Sequence, residues 1–118
     1  MTCDPLEFLP LTHVVYHTLL AIAEDPLHGY GIIKAVEART EGRVMLEAGT
    51  LYAAIKRLRD EGLVEDRPTP PGADQRRRVY GLSPLGREVL RAESLRMAEL
   101  VALAREARVL GPGGTHGP

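Results

Sequence analysis

The residues best suited to chemistry lie in a few short runs. Arg76, Arg77 and Arg78 are consecutive, Lys56 and Arg57 are adjacent, and Thr50 and Tyr52 carry hydroxyls just before that pair. Guanidinium, ammonium and hydroxyl groups in this number fit phosphate oxygens and base edges. In isolation an arginine run is a solvated surface; beside a flexible turn, flanking a helix with a spare face, it becomes a phosphate contact. If the run lies on a strand, Arg76 and Arg78 share a face and Arg77 takes the other, so only a subset reaches phosphates at once. His13 and His17 stand one helical turn apart, the spacing of a zinc pair. The run HVVYH lacks the metalloprotease glutamate, however, and no third ligand is evident. The sequence has no nucleophile elbow, phosphate loop or isolated pair of catalytic carboxylates, so neither an enzyme nor a cofactor is expected. His28, Gly29 and Tyr30 read mainly as architecture: Gly29 for a sharp turn, Tyr30 with its ring in the core and its hydroxyl outward, His28 to cap a helix or touch a phosphate.

The element that must position this chemistry is EAGTLYAAIKRLRDEG, Glu47 to Gly62, which has helical periodicity. Leu51, Ala54, Ile55 and Leu58 fall on one side; Gly49, Ala53, Lys56, Arg57 and Asp60 fall on the other. Gly49 and Ala53 leave the outer face small, so the helix can approach a rigid surface closely, and a DNA major groove admits such a helix. Thr50, Tyr52, Ala53, Lys56 and Arg57 form the expected contact surface, with Arg57 suited to guanine. Upstream, residues 1–10 read as an irregular extension. Thr12 then caps a helix to about Asp25 with Val14, Val15, Thr18, Leu19, Ile22 and Ala23 as its apolar stripe. The run DPLHG is a tight connection into a helix from about Gly29 to Thr40, on which Tyr30, Ile33 and Val36 point one way and Lys34, Glu37 and Ala38 face solvent. Arg43 to Leu46 is either a short strand or a connector.

After Gly62 the period becomes strand-like: Leu63 to Arg67, a proline- and glycine-rich loop, then Arg76 to Leu82, a β-hairpin with a long tip. Ser83 and Pro84 start a final helix reaching about Leu110. Leu85, Val89 and Ala92 suit packing on the domain, whereas Leu90, Met97, Val101 and Ala104 continue outward and want a partner. Residues 111–118 read as a disordered tail. The layout is mainly α with a small β-hairpin: a winged helix-turn-helix over residues 11–82 and a long C-terminal dimerisation helix over 83–110.

Composition limits the alternatives. At 118 residues, 44% of them hydrophobic but with no tryptophan and one phenylalanine, the chain builds a modest aliphatic core that self-association would support. A formal charge of −1 gives no global basic signature, so nucleic-acid binding must come from local clustering. The lone Cys3 excludes an intrachain disulfide, and neither a signal peptide nor a membrane-spanning run is evident, so a cytoplasmic location is expected.

Four features together resemble the PadR family of bacterial transcriptional regulators across most of Leu11 to Arg108: LHGYGIIKAVE, GTLYAAIKRLRDEGLVE, RRRVYGLSPLG and the spacing between them. The resemblance implies the small branch of the family, whose single C-terminal helix pairs two copies, with the third helix in the major groove and the wing near the backbone. It further implies a homodimer on near-palindromic double-stranded operator DNA, repression, and relief by a small-molecule or stress signal. The chain departs from the family pattern in three places. Val79 replaces an aromatic residue, Gly81 a basic one and Ala53 a proline. The absence of tryptophan argues against a drug-stacking pocket at the dimer interface. Val15, Leu19 and Met97 are candidates to line an aliphatic effector cavity, although a packed dimer core accounts for the same residues better. A winged-helix module that binds protein rather than DNA stays open, as does, more distantly, a histidine-pair hydrolase.

Overall fold

The computed structural model describes residues 4–111. The tail assigned to 111–118 therefore lies almost entirely outside the described residues, as does Cys3. Helix α1 spans His13–Ala21, and Thr12 caps it, its Oγ1 accepting from the Val15 N–H at 3.2 Å. Val15, Thr18 and Leu19 are buried, and the Thr18 hydroxyl is satisfied by the Val14 carbonyl at 2.7 Å. The helix stops short of the expected Asp25. Ile22 leaves helical geometry at φ −99° and ψ 9°, the Ala23 N–H turns back to the Leu20 carbonyl at 3.3 Å, and Leu27–His28, within the expected tight connection, forms strand β1.

Helix α2 spans Gly29–Arg39. It closes through Gly42, which at φ +79° donates its N–H to the Glu37 carbonyl at 2.8 Å. Residues 43–46 form a connector without strand pairing, and Leu46 is buried there. Helix α3, Ala48–Asp60, buries Leu51, Ala54, Ile55 and Leu58, the side the period selects. Gly62, at φ +82°, lets the Leu63 N–H reach the Leu58 carbonyl at 2.9 Å, which reverses the chain into the sheet.

Strands β2, Val64–Arg67, and β3, Val79–Leu82, pair antiparallel from Val64 opposite Leu82 to Arg67 opposite Val79. Strand β1 pairs on the other edge of β3, Leu27 opposite Tyr80 and His28 opposite Val79, so the hairpin becomes a three-stranded sheet in the order β1-β3-β2. The return strand begins at Val79 and not at Arg76. Asp74 accepts the Arg76 N–H at 2.9 Å, and the Arg77 N–H reaches the Asp74 carbonyl at 3.1 Å, a side-chain turn that bends the arginine run out of the ladder.

Helix α4 spans Pro84–Glu106, 23 residues and so about 35 Å long. Ser83 caps it, accepting the Gly86 N–H at 2.9 Å. Gly86 is required by contact: a Cβ there would lie 2.0 Å from the Leu63 carbonyl oxygen. The helix ends before the expected Leu110 because Arg108 adopts φ 62° and the Val109 N–H returns to the Ala104 carbonyl at 2.9 Å. Val89, Leu90 and Glu93 are buried in the same core as Leu19, Ile32, Leu51 and Leu58. The expectation that Leu90 faces a partner is therefore corrected, since at 7% exposure it is already covered by its own chain. Pro5–Phe8 form a 3-10 turn packed on α4, and the Leu11 N–H donates to Glu93 Oε2 at 2.8 Å.

Candidate nucleic-acid interface

An open hollow of about 730 Å3 lies between the start of α2, the first half of α3 and the wing loop, lined by His28, Gly29, Tyr30, Tyr52, Tyr80 and the three arginines Arg76, Arg77 and Arg78. Because the arginines occupy a bend and not a strand, all three turn to one space, which replaces the alternation expected of them. Their floor is built by packing. Tyr80 is buried and its hydroxyl is held above its ordinary pKa, first by burial and then by the neighbouring Tyr52, so it stays a protonated donor near neutral pH. Tyr52 crosses the first residue of α2: a Cβ on Gly29 would meet its Oη at 2.1 Å. Gly29 is thus a seat for the tyrosine as much as a turn.

Tyr30 does not enter the core. It is 54% exposed, with Lys34 Nζ 5.4 Å above its ring, and that contact, led by the hydrogen bond to the phenol, raises the Lys34 pKa. The side chain of His28 makes no capping bond to α2, whose first residues Gly29 and Tyr30 line the hollow. Instead, His28 Nε2 lies 2.8 Å from Arg77 Nη1. Asp74 accepts Arg76 Nε at 3.2 Å in addition to the backbone bond, and these bonds, the backbone one first, hold its carboxyl below the usual range.

The α3 candidates divide into two groups. Tyr52 faces the wing hollow, whereas Thr50, Ala53 and Arg57 line a second open groove of about 720 Å3 between α3 and the start of α1, with Gly49 and Thr12. Lys56 projects into solvent at 80% side-chain exposure, 3.7 Å from Asp60. Cations and hydroxyls thus flank both sides of one exposed helix face. This arrangement can bind a polyanion whose charges run along either side of a groove.

Periodicity did not reveal the roles of Tyr30 and Tyr80, or that Arg59 is held by Asp66 at 3.0 Å. Alternation along VYGL marks Tyr80 only as one face of a strand. At Gly81 the family's basic side chain would collide with Arg67, whose Cζ would lie 2.8 Å from a Cβ, and which donates to the Leu82 carbonyl at 2.7 Å. His13 and His17 touch edge to face with centroids 4.5 Å apart, and burial, then His13 and Arg39, lowers the His17 pKa. Among the described residues, no cluster of three or more His, Cys, Asp or Glu is placed to hold a metal. No described helix is long and apolar enough to cross a membrane.

Three helices, a three-stranded wing sheet and a long C-terminal helix define the winged helix-turn-helix class. Residues 18–92 match the transcriptional regulator PadR-like family, and the chain belongs to that family. It is 40% identical over 91 residues to an uncharacterized 37.1 kDa protein in transposon Tn4556 of Streptomyces fradiae, a match covering 77% of this chain but only a quarter of that protein's length. Its fold is similar to that of a PadR family transcription regulator from Clostridium difficile, at TM-score 0.68 and 20% identity over 80% of this chain and 97% of the other. It is also similar to Bacillus subtilis PadR in complex with operator DNA, at TM-score 0.61 and 24% identity over 70% and 46% of the two chains.

Proposed function

We propose that the chain is a homodimeric, sequence-specific DNA-binding repressor, acting in the cytoplasm and released by a small-molecule or stress signal. The observation that carries this reading is the hollow beside α3, where Arg76, Arg77, Arg78, Tyr52 and the uncapped start of α2 converge. Helix α3 enters the major groove with Gly49 and Ala53 at the closest approach, Thr50 and Arg57 on one side and Tyr52 on the other. The wing arginines take the phosphates that flank it. Lys56 and His28 add charge or hydrogen bonds to the same backbone. The operator-bound state of Bacillus subtilis PadR supports placing this fold on DNA.

Dimerisation is assigned to the outer half of α4. Leu100, Val101 and Leu103 are exposed there, Met97 and Ala104 are half-buried, and a second copy would cover them. Two α3 helices at a fixed separation then read two half-sites of a near-palindrome. Val15 and Leu19 are core residues with 4% and 0% exposure, so an effector reaching Met97 would have to displace packed side chains to touch them.

Titration of labelled DNA from the gene's own upstream region at two salt concentrations tests the reading. Binding that weakens steeply with salt is expected. The net charge of −1 favours a protein-binding winged helix as the second reading, and salt-insensitive or absent DNA binding would select it.

A further inference from the structure

His28 stands where two spaces meet. It lines the hollow beside α3 and also a smaller cavity of about 460 Å3 under the wing loop, walled by Pro26, Leu27, Pro70, Ala73 and Val79. Arg77 lines both as well and donates from Nη1 to His28 Nε2 at 2.8 Å. A guanidinium has only donors and does not give up its proton, so Nε2 must be the acceptor and the ring must be neutral. Once Nε2 carries a proton the bond is lost and two cations face each other.

Resting on the reading that this hollow receives a DNA phosphate, we propose that His28 is a proton-linked phosphate contact. In the free chain its neutral ring holds Arg77 against β1. When a phosphate enters, one proton passes from solvent to Nε2, the bond from Arg77 breaks, and imidazolium and guanidinium both donate to the anion.

The surroundings give this exchange its direction. Arg76, Arg77 and Arg78 face His28 from the wing, with Asp74 across the lower cavity, Tyr30 from α2, Tyr52 from α3 and Tyr80 from β3. Asp74 is committed to Arg76 through bonds of 2.9 and 3.2 Å, which leaves Arg77 to His28. The ring lies against the first turn of α2, where a Cβ on Gly31 would be 3.3 Å from its Cε1. A phosphate reverses the local charge and favours the protonated ring.

The test is the DNA affinity of the full chain, measured by fluorescence anisotropy at constant ionic strength between about pH 5.5 and about pH 8, where histidine titrates. Wild-type affinity is expected to fall as pH rises, by up to about tenfold per unit for one linked proton. His28→Gln keeps an acceptor for Arg77 but cannot take the proton, so its profile should be flat. A His13→Gln, His17→Gln double variant should keep the wild-type slope. Calorimetry in buffers of different ionisation enthalpy should show proton uptake by the wild type and none by His28→Gln. Parallel profiles for wild type and His28→Gln, with salt-sensitive binding intact, overturn this inference alone. Absence of DNA binding by the wild type at every pH overturns the underlying reading and this inference with it.

Discussion

Arg76, Arg77 and Arg78 face one hollow because Asp74 turns the chain before β3 begins. Each should therefore count: replacing any one with alanine is expected to lower the salt slope of DNA binding by about one unit. A strand would have made Arg77 differ from its neighbours, so an unchanged slope for Arg77→Ala alone would restore that picture. Gly29→Ala should push Tyr52 off its seat, weakening DNA binding while leaving the melting temperature close to wild type, because the obstructing atom is the tip of an exposed side chain. Glu93 belongs to stability instead. It is buried, and its carboxyl lies below the ordinary glutamate range, chiefly through Arg96 and also through the Leu11 N–H, against the opposing effect of burial. A carboxylate depressed in the folded state adds stability above its unfolded pKa and loses it as pH falls through the folded value. Thermal melts from neutral pH into the acid range should show this loss, and Glu93→Gln should flatten the acid limb. The polar partners were the least readable residues: nothing in the spacing between Leu11 and Glu93, or His28 and Arg77, says that the fold brings them together.

Among the elements, α3 was the most legible, because its four buried positions follow one helical stripe and a glycine closes it. Its boundaries came within a residue or two of the reading. Strand β1 was invisible for a physical reason: two residues have no period, and Leu27 and His28 are extended because β3 offers them an edge. Helix α4 was legible in its cap but not in the division of its faces, since the domain core covers a wider face than expected and takes Leu90 and Glu93 beside Val89. Leu58→Ala should cost roughly 2–5 kcal/mol in denaturant unfolding, because the side chain is fully enclosed by other elements. A much smaller loss would mean that α3 packs loosely on this domain.

In the proposed function, α3 carries the reading face and α4 sets the spacing between two such faces. The exposed Leu100, Val101 and Leu103 should make the chain a dimer in sedimentation equilibrium, and Val101→Asp with Leu103→Asp should yield a folded monomer that binds a full operator far more weakly. The overall charge of −1 conceals this clustering, because Arg76, Arg77 and Arg78 line one hollow whose lining includes no acidic residue. The most direct measurement is to locate a protected site in the upstream DNA by footprinting and then set a duplex carrying it in competition with a scrambled duplex of equal length, at near-physiological salt. The account predicts preference for the site by a factor of at least about 10³, with both affinities falling as salt rises. Equal affinity for the two duplexes, or no salt-sensitive affinity for either, would contradict it.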